Sequence, residues 1–140
     1  MTKLIFCILL VYSVHSSGQT NAHISVIDFV KIKNDLRNEA IYFYENNWKV
    51  YRDTALKNNF IKSYQLLTTK ADSATNFDII LITEYADSMQ FKLSEERFQK
   101  MIKAMRPEGP KLLNEIKPND FRQTIFSKKA ETLFSSDLKL

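Results

Sequence analysis

Two spacings of apolar residues alternate along this chain, and each change of spacing marks a new predicted element. Residues 24–33 alternate with a period of two and are rich in β-branched side chains, which predicts a first strand with apolar residues on both faces. From residue 36 to about residue 58 the apolar residues recur at helical spacing, which predicts an amphipathic helix. Asn34 or Asp35 is the expected N-cap of this helix.

The next part of the pattern predicts two more strands in succession. Residues 61–69 return to strand character after the helix. Residues 77–85 are the most apolar segment beyond the N-terminal region, so we expect a central strand that is covered on both faces. The polar residues 71–76 between them predict a loop.

A second helix is predicted from about Ser94, a candidate N-cap, to Arg106, because Pro107 cannot follow within a regular helix. A short helical piece at residues 112–116 and a fourth strand at residues 121–126 complete the order. No internal repeat or linker divides the chain. We therefore predict one domain over residues 24–126, followed by a C-terminal tail at residues 127–140.

The first 18 residues are typical of an export signal. Lys3 provides a positive charge, residues 4–14 form an apolar run, and small residues follow up to Gly18. The apolar run is too short to cross a bilayer, so no stable membrane span is predicted. We expect cleavage near Gly18 and a periplasmic or secreted mature chain, which carries no thiol because Cys7 is removed with the signal.

Composition excludes several kinds of site. Two glycines in 140 residues leave no glycine-rich phosphate loop, and one cysteine with two histidines is too few for a Cys/His zinc cluster. The formal net charge is +4, but the basic residues are interspersed with acids, and Lys128 and Lys129 are the only adjacent pair. No nucleic-acid surface is therefore expected, and the sequence predicts neither a metal site nor a cofactor.

Two carboxylates interrupt apolar strands. Asp28 lies in the first predicted strand and Glu84 in the third. If these strands are neighbours in the sheet, the two carboxylates would share one face and act as an acid and a base. The plainer interpretation places Glu84 in water at the end of its strand and Asp28 against a cation such as Lys62.

Aromatic residues form the second candidate site. The predicted first helix carries Tyr44, Trp48 and Tyr51, and the predicted strands carry Tyr64 and Tyr85. Aromatic walls with a few polar tips are typical of pockets for small, flat, apolar ligands. A helical stripe of aromatic residues is also typical of ordinary core, and both interpretations remain open from the sequence.

The other charged candidates do not predict a site. His23 lies close to the new N-terminus, where we expect a solvated side chain rather than a base or a ligand. Four arginines show no spacing that converges on one place, so we expect them on the surface: Arg52, Arg97, Arg106 and Arg122.

Taken together, these residues resemble a known superfamily. The chain is similar to the dimeric α/β-barrel superfamily of ferredoxin-like domains, and in particular to its small exported bacterial proteins. The resemblance rests on the segment 29–33 that opens onto a helix, on Trp48, Tyr51 and Arg52 in that helix, and on the strand 77–85 that leads into Ala86 and Asp87. The resemblance implies an α+β fold of the ferredoxin-like βαββαβ type, in which an antiparallel four-stranded sheet carries both helices on one face. It also implies that two such sheets pair to form a dimeric α/β barrel.

Two functional hypotheses follow. The lack of a catalytic motif favours an exported protein that binds a small apolar ligand or a partner, and an apolar sheet face without helices favours a homodimer. The alternative implied by the resemblance is a cofactor-independent monooxygenase or isomerase that acts on a small aromatic or apolar substrate, with Asp28 and Glu84 as its candidate catalytic groups. Relatives that degrade haem carry a histidine on the second helix, and residues 94–106 contain none.

Overall fold

The computed structural model describes residues 23–72 and 74–134. The predicted signal, with its cleavage site and Cys7, lies outside these residues, and so does the end of the predicted tail. Within the described part of the chain, no helix is long and apolar enough to span a membrane.

Four antiparallel strands form one sheet. They are β1 (Ile24–Ile32), β2 (Ser63–Thr68), β3 (Ile79–Tyr85) and β4 (Arg122–Glu131), in the spatial order β2-β3-β1-β4. This is the strand order of a ferredoxin-like βαββαβ domain, so the predicted α+β fold is confirmed. The fourth strand is longer than predicted and ends at Glu131 instead of residue 126.

The first long helix has three parts. Regular helices α1 (Arg37–Phe43) and α2 (Lys49–Lys57) are joined by one π-helical segment, Tyr44–Trp48. We refer to this segment as the π segment, and to all three parts as the first helix. The sequence predicted the span of this helix but not its π segment, whose wider turn leaves no mark in the apolar spacing.

Three more helices follow β3. They are α3 (Ser88–Lys92), α4 (Ser94–Met105) and α5 (Pro118–Phe121). The predicted end of the second helix is confirmed, but the predicted helical piece at residues 112–116 is wrong, because the short turn forms later, where Pro118 occupies the first helical position.

The predicted helix caps are also wrong. Leu93, which precedes α4, already has a helical backbone, so Ser94 lies inside the helix and caps nothing; Asp87 instead caps α3 by accepting a hydrogen bond from Gln90 N at 2.7 Å. Asn34 and Asp35 both adopt left-handed backbone, with φ of 54° and 53°, and turn the chain before the first helix. These two residue types tolerate that conformation better than most.

The helices cover one face of the sheet. One core cluster packs Ile24 and Tyr85 of the sheet against Tyr51 of α2 and Met101 of α4. A second cluster packs strand residues against the π segment: Val30, Ile79, Leu81, Tyr44 and Trp48. Both clusters use alternate positions of β1 and β3, as the period-two pattern predicted.

The other face of the sheet carries the opposite alternation and is also apolar. We call it the open face; its apolar residues are Ile27, Phe29, Leu67, Ile80, Ile82 and Phe126. Phe29 stacks on Phe126 with ring centroids 4.4 Å apart and meets Phe77 edge-on at 4.9 Å. Leu67 is 45% exposed and Phe126 is 42% exposed. Within residues 23–72 and 74–134, the helices pack on the opposite side.

Candidate functional site

Asp28 brings a negative charge to the helix-facing side of the sheet. It occupies the same alternation of β1 as the buried Val30, and it pairs with Leu81 of β3 and Ser127 of β4. Ser127 Oγ donates a hydrogen bond to the Asp28 carboxylate. The strand period therefore directs this carboxylate towards the first helix.

Arg52 brings a positive charge to the same interface. Its guanidinium carbon lies 4.8 Å from the centre of the Trp48 ring and 4.5 Å from that of Phe98, and its Nε donates to Thr83 Oγ1 at 3.2 Å. Burial lowers the pKa of Arg52, while Tyr85 and Asp28 act in the opposite direction. An arginine side chain stays protonated under such conditions, so a cation is held between two aromatic rings.

Tyr44 is only 1% exposed, and its hydroxyl has no hydrogen-bond partner in the described structure. Burial raises the pKa of the Tyr44 hydroxyl, and the Arg122 guanidinium beside it offsets only part of that rise. The Asp28 charge raises the pKa further. Tyr44 is therefore a neutral phenol at pH 7 and presents an O–H donor.

Arg122 completes the group from the start of β4. Its guanidinium carbon lies 4.9 Å from the Phe43 ring centre and 5.8 Å from that of Tyr44. Its Nε is buried and has no acceptor among the described residues. We call Asp28, Tyr44, Arg52 and Arg122 the polar cluster.

The polar cluster combines one carboxylate, one neutral phenol and two guanidinium groups, which gives a formal charge of about +1 inside an aromatic and aliphatic surround. Such an arrangement suits a small ligand with an electron-rich or anionic group. In the described part of the chain, no three His, Cys, Asp or Glu side chains come together as metal ligands.

Glu84 lies on the open face and does not pair with Asp28. Glu84 is opposite Ser25 on β1 and therefore projects to the same side as Ser25. Ser25 and Asp28 are three residues apart on the same strand, so the Asp28 and Glu84 carboxylates project to opposite sides of the sheet. Ser63 Oγ donates to Glu84 Oε2 at 2.7 Å, and Lys62 Nζ lies 3.8 Å from Oε1. The expected acid–base pair is therefore not formed.

His23 is more ordered than the sequence indicated. Its side chain is only 13% exposed, and its Nδ1 lies 3.3 Å from Glu84 Oε1 and 2.9 Å from Lys62 Nζ. The prediction of a solvated histidine is wrong, because β1 begins at the next residue and the His23 carbonyl accepts a hydrogen bond from Thr132 N at 2.9 Å.

The predicted aromatic set is divided between the two core clusters. Tyr44 and Trp48 belong to one, Tyr51 and Tyr85 belong to the other, and Tyr64 packs against both. Trp48 meets Tyr64 edge-on at 5.5 Å, and the Tyr64 hydroxyl donates to Asp53. Four of the five side chains are buried, so they are core residues, of which Tyr44 and Trp48 also border the polar cluster.

Sequence reasoning missed the two arginines of the polar cluster, which were expected on the surface. One signal was available for Arg52, because it follows Trp48 by one helical turn and that spacing brings a guanidinium over a ring. No equivalent signal marks Arg122, since its contact with Tyr44 depends on how the first helix lies across β4.

Solved structures share this fold. A dimeric ferredoxin-like protein from an uncultured marine organism matches with a TM-score of 0.54 and 11% identity, over 81% of this chain and 98% of that one. HapK from Hahella chejuensis matches with a TM-score of 0.50 and 10% identity, over 83% of this chain and 98% of that one. The chain has a ferredoxin-like fold, which it shares with the marine protein.

A protein of unknown function from Bacteroides thetaiotaomicron, described as a possible oxidoreductase, matches less well. Its TM-score is 0.45 at 13% identity, over 80% of this chain and 99% of that one. No family model matches the chain, and no curated protein matches it. At these identities the comparisons show the fold alone.

Proposed function

We propose that this protein is an exported homodimer that binds a small, flat, largely apolar ligand between the first helix and the sheet. The observation that carries the proposal is the polar cluster. Two guanidinium groups and a half-buried carboxylate at a helix–sheet interface contribute little to stability, since apolar side chains of similar volume often stabilise such an interface as well or better. A binding role explains why charges are placed there.

The aromatic surround supports the choice of ligand. Arg52 lies over the rings of Trp48 and Phe98, and Tyr64 meets the same Trp48 ring edge-on. Rings and guanidinium planes arranged in this way favour a planar ligand, because it can stack without losing much conformational freedom.

Trp48 allows a direct test, because it is the only tryptophan in the chain. We expect 4-nitrophenol, a flat phenol whose absorption overlaps tryptophan emission, to quench Trp48 fluorescence with saturation. Arg52→Met removes the stacked cation of the polar cluster and should weaken binding by at least about tenfold, or ~1.4 kcal/mol.

Arg97→Met is the matched control, since Arg97 also lies over an aromatic ring, that of Phe60, at 4.9 Å. It should bind like the wild type. Absence of saturable quenching, or equal losses in both variants, would contradict a ligand site at the polar cluster. Native mass spectrometry of protein purified from its own host would then show whether any small molecule is retained.

The homodimer is supported by the open face and by the dimeric protein that shares the fold. The apolar residues of the open face come from all four strands of the sheet, and Phe126 is 42% exposed on it. Monomers rarely expose such a surface. A twofold pair would place identical open faces against each other, which buries both at once.

A second candidate is a cofactor-independent monooxygenase or isomerase. Asp28 favours it, because a carboxylate beside guanidinium groups is placed to take a proton from an electron-rich substrate while the cations hold the resulting anion. Asp28→Asn should then abolish turnover, followed as dioxygen uptake or isomerisation of a phenolic substrate. Unchanged turnover in this variant would exclude Asp28 as the base.

Export is the remaining part of the proposal. The N-terminal pattern of Lys3, the apolar run and Gly18 supports it. We expect protein isolated from its own host to begin at about residue 19, as determined by intact mass and N-terminal sequencing. A chain that begins at Met1 would exclude processing.

A further inference from the structure

Tyr44 holds a hydrogen-bond donor that the fold itself does not use. Its side chain is 1% exposed, and its hydroxyl donates to no acceptor in the described structure. A buried hydroxyl without a partner costs free energy, and most buried polar atoms in proteins avoid this cost. Phenylalanine would pack in the same place without that cost.

Arg122 presents a second unused donor next to the first. Its Nε is also buried without an acceptor, and its guanidinium carbon lies 5.8 Å from the centre of the Tyr44 ring. The two donors come from different elements, the π segment and β4. Their unsatisfied groups therefore meet at one place in the interface.

The Arg122 guanidinium faces the Tyr44 oxygen and lowers the pKa of that hydroxyl as a hydrogen-bond donor, but the phenol O–H and the Arg122 Nε–H both still lack an acceptor. Asp28 does not fill this role, since the Tyr44 hydroxyl makes no hydrogen bond to it and Ser127 bonds to its carboxylate. The polar cluster already has two cations for one anion. A second anion would balance the charge and supply the oxygens that both donors need.

We propose that Tyr44 and Arg122 form an oxyanion subsite that holds the carboxylate of a flat monocarboxylate ligand. This rests on the proposed function and narrows its ligand to an anion. Guanidinium binds a carboxylate with two parallel hydrogen bonds when geometry allows, and the phenol adds a third donor. Arg52 and Trp48 then contact the planar body of the same ligand.

The test compares 2-naphthoate with 2-naphthamide by isothermal titration calorimetry, since the two probes share shape and differ in charge. The full-length mature protein should bind the carboxylate at least tenfold more tightly than the amide. Tyr44→Phe and Arg122→Met should each reduce that preference to less than threefold. Arg97→Met, outside the polar cluster, should retain it.

Thermal unfolding separates this role from a structural one. Tyr44→Phe should melt at the same temperature as the wild type or higher, because the buried O–H has no acceptor to lose. If Arg122→Met does not fold, Tyr44→Phe still decides the question, since it removes one oxygen atom.

The outcomes distinguish the two proposals. Equal binding of both probes to the wild type, or an undiminished preference in Tyr44→Phe, would overturn the oxyanion subsite and leave ligand binding at the polar cluster intact. In that case a water molecule alone serves the two donors. No binding of either probe to the wild type, together with no quenching by 4-nitrophenol, would overturn both.

Discussion

Buried polar residues in this protein fall into two kinds. Asn47 is fully buried and every polar atom of its amide is bonded, whereas the Tyr44 hydroxyl and Arg122 Nε are buried and have no partner in the described structure. The first kind stabilises the fold, and the second costs stability. Arg106 Nε, just after α4, is also buried without a partner, so the contrast alone does not assign a function. Tyr44 and Arg122 are set apart because two such groups lie side by side.

Removal of one tyrosine hydroxyl should therefore stabilise the protein, and removal of another should not. Tyr44→Phe deletes an unsatisfied buried group, and we expect the free energy of unfolding to rise by about 1 kcal/mol. Tyr64→Phe deletes a hydrogen bond to Asp53 in a half-exposed place, and we expect a loss of about 0.5–1 kcal/mol. Urea unfolding measures both changes, and a destabilised Tyr44→Phe would show that its hydroxyl is bonded in the folded state.

At the scale of elements, the π segment determines what the first helix presents to the sheet. Its wider turn brings Tyr44, Asn47 and Trp48 inward together. Asn47 donates from Nδ2 to Lys111 O and accepts at Oδ1 from Lys111 N, both at 2.8 Å. The Asn47 amide therefore pairs with both backbone polar groups of Lys111, as a neighbouring strand would, and holds the loop after α4 in place. The π segment thus joins the polar cluster to a loop distant in sequence.

Asn47→Ala should be one of the more damaging substitutions in the helix. It leaves the N–H and C=O of Lys111 unpaired and opens a small void, so we expect a loss of about 2–4 kcal/mol. Asn46→Ala is the matched control, since Asn46 makes a single bond to the helix carbonyl of Tyr42 at 2.9 Å, and it should cost less than about 1 kcal/mol. Equal losses in urea unfolding would contradict the role given to the Lys111 contact.

Local pattern and three-dimensional register explain what the sequence could predict. The alternation of β1 correctly separated Asp28 from Phe29, and Pro107 correctly ended the second helix, because both depend on near neighbours. The expected pairing of Asp28 with Glu84 depended on the register between β1 and β3, which alternation alone does not fix. The burial of Arg122 was not predicted either, because it depends on contacts with Phe43 and Tyr44, which lie in another element.

At the scale of the whole molecule, the two faces of the sheet have different surroundings. One face packs against helices and encloses the polar cluster, whereas the open face carries aromatic and aliphatic residues from all four strands. Burial of that face in a homodimer would make the sheet the centre of the assembly. The ligand sites would then lie on the outer sides, one in each subunit.

The homodimer can be tested with two substitutions that start from equally exposed residues. Phe126 on the open face and Leu56 on α2 are each 42% exposed. Phe126→Glu places a charge in the proposed interface and should raise the dimer dissociation constant at least about 100-fold, or ~2.7 kcal/mol, because an unpaired buried charge is costly. Leu56→Glu places the same charge on the helix side and should leave the dimer intact.

Sedimentation equilibrium at micromolar concentration measures the association directly, and the wild type should show twice the mass of the purified chain. A monomeric wild type would exclude the open face as an interface between copies. If Phe126→Glu stays as tightly dimeric as Leu56→Glu, the two chains associate through another surface. Retained 4-nitrophenol binding by monomeric Phe126→Glu would further show that each site is complete within one subunit, since the polar cluster draws all four of its side chains from a single chain.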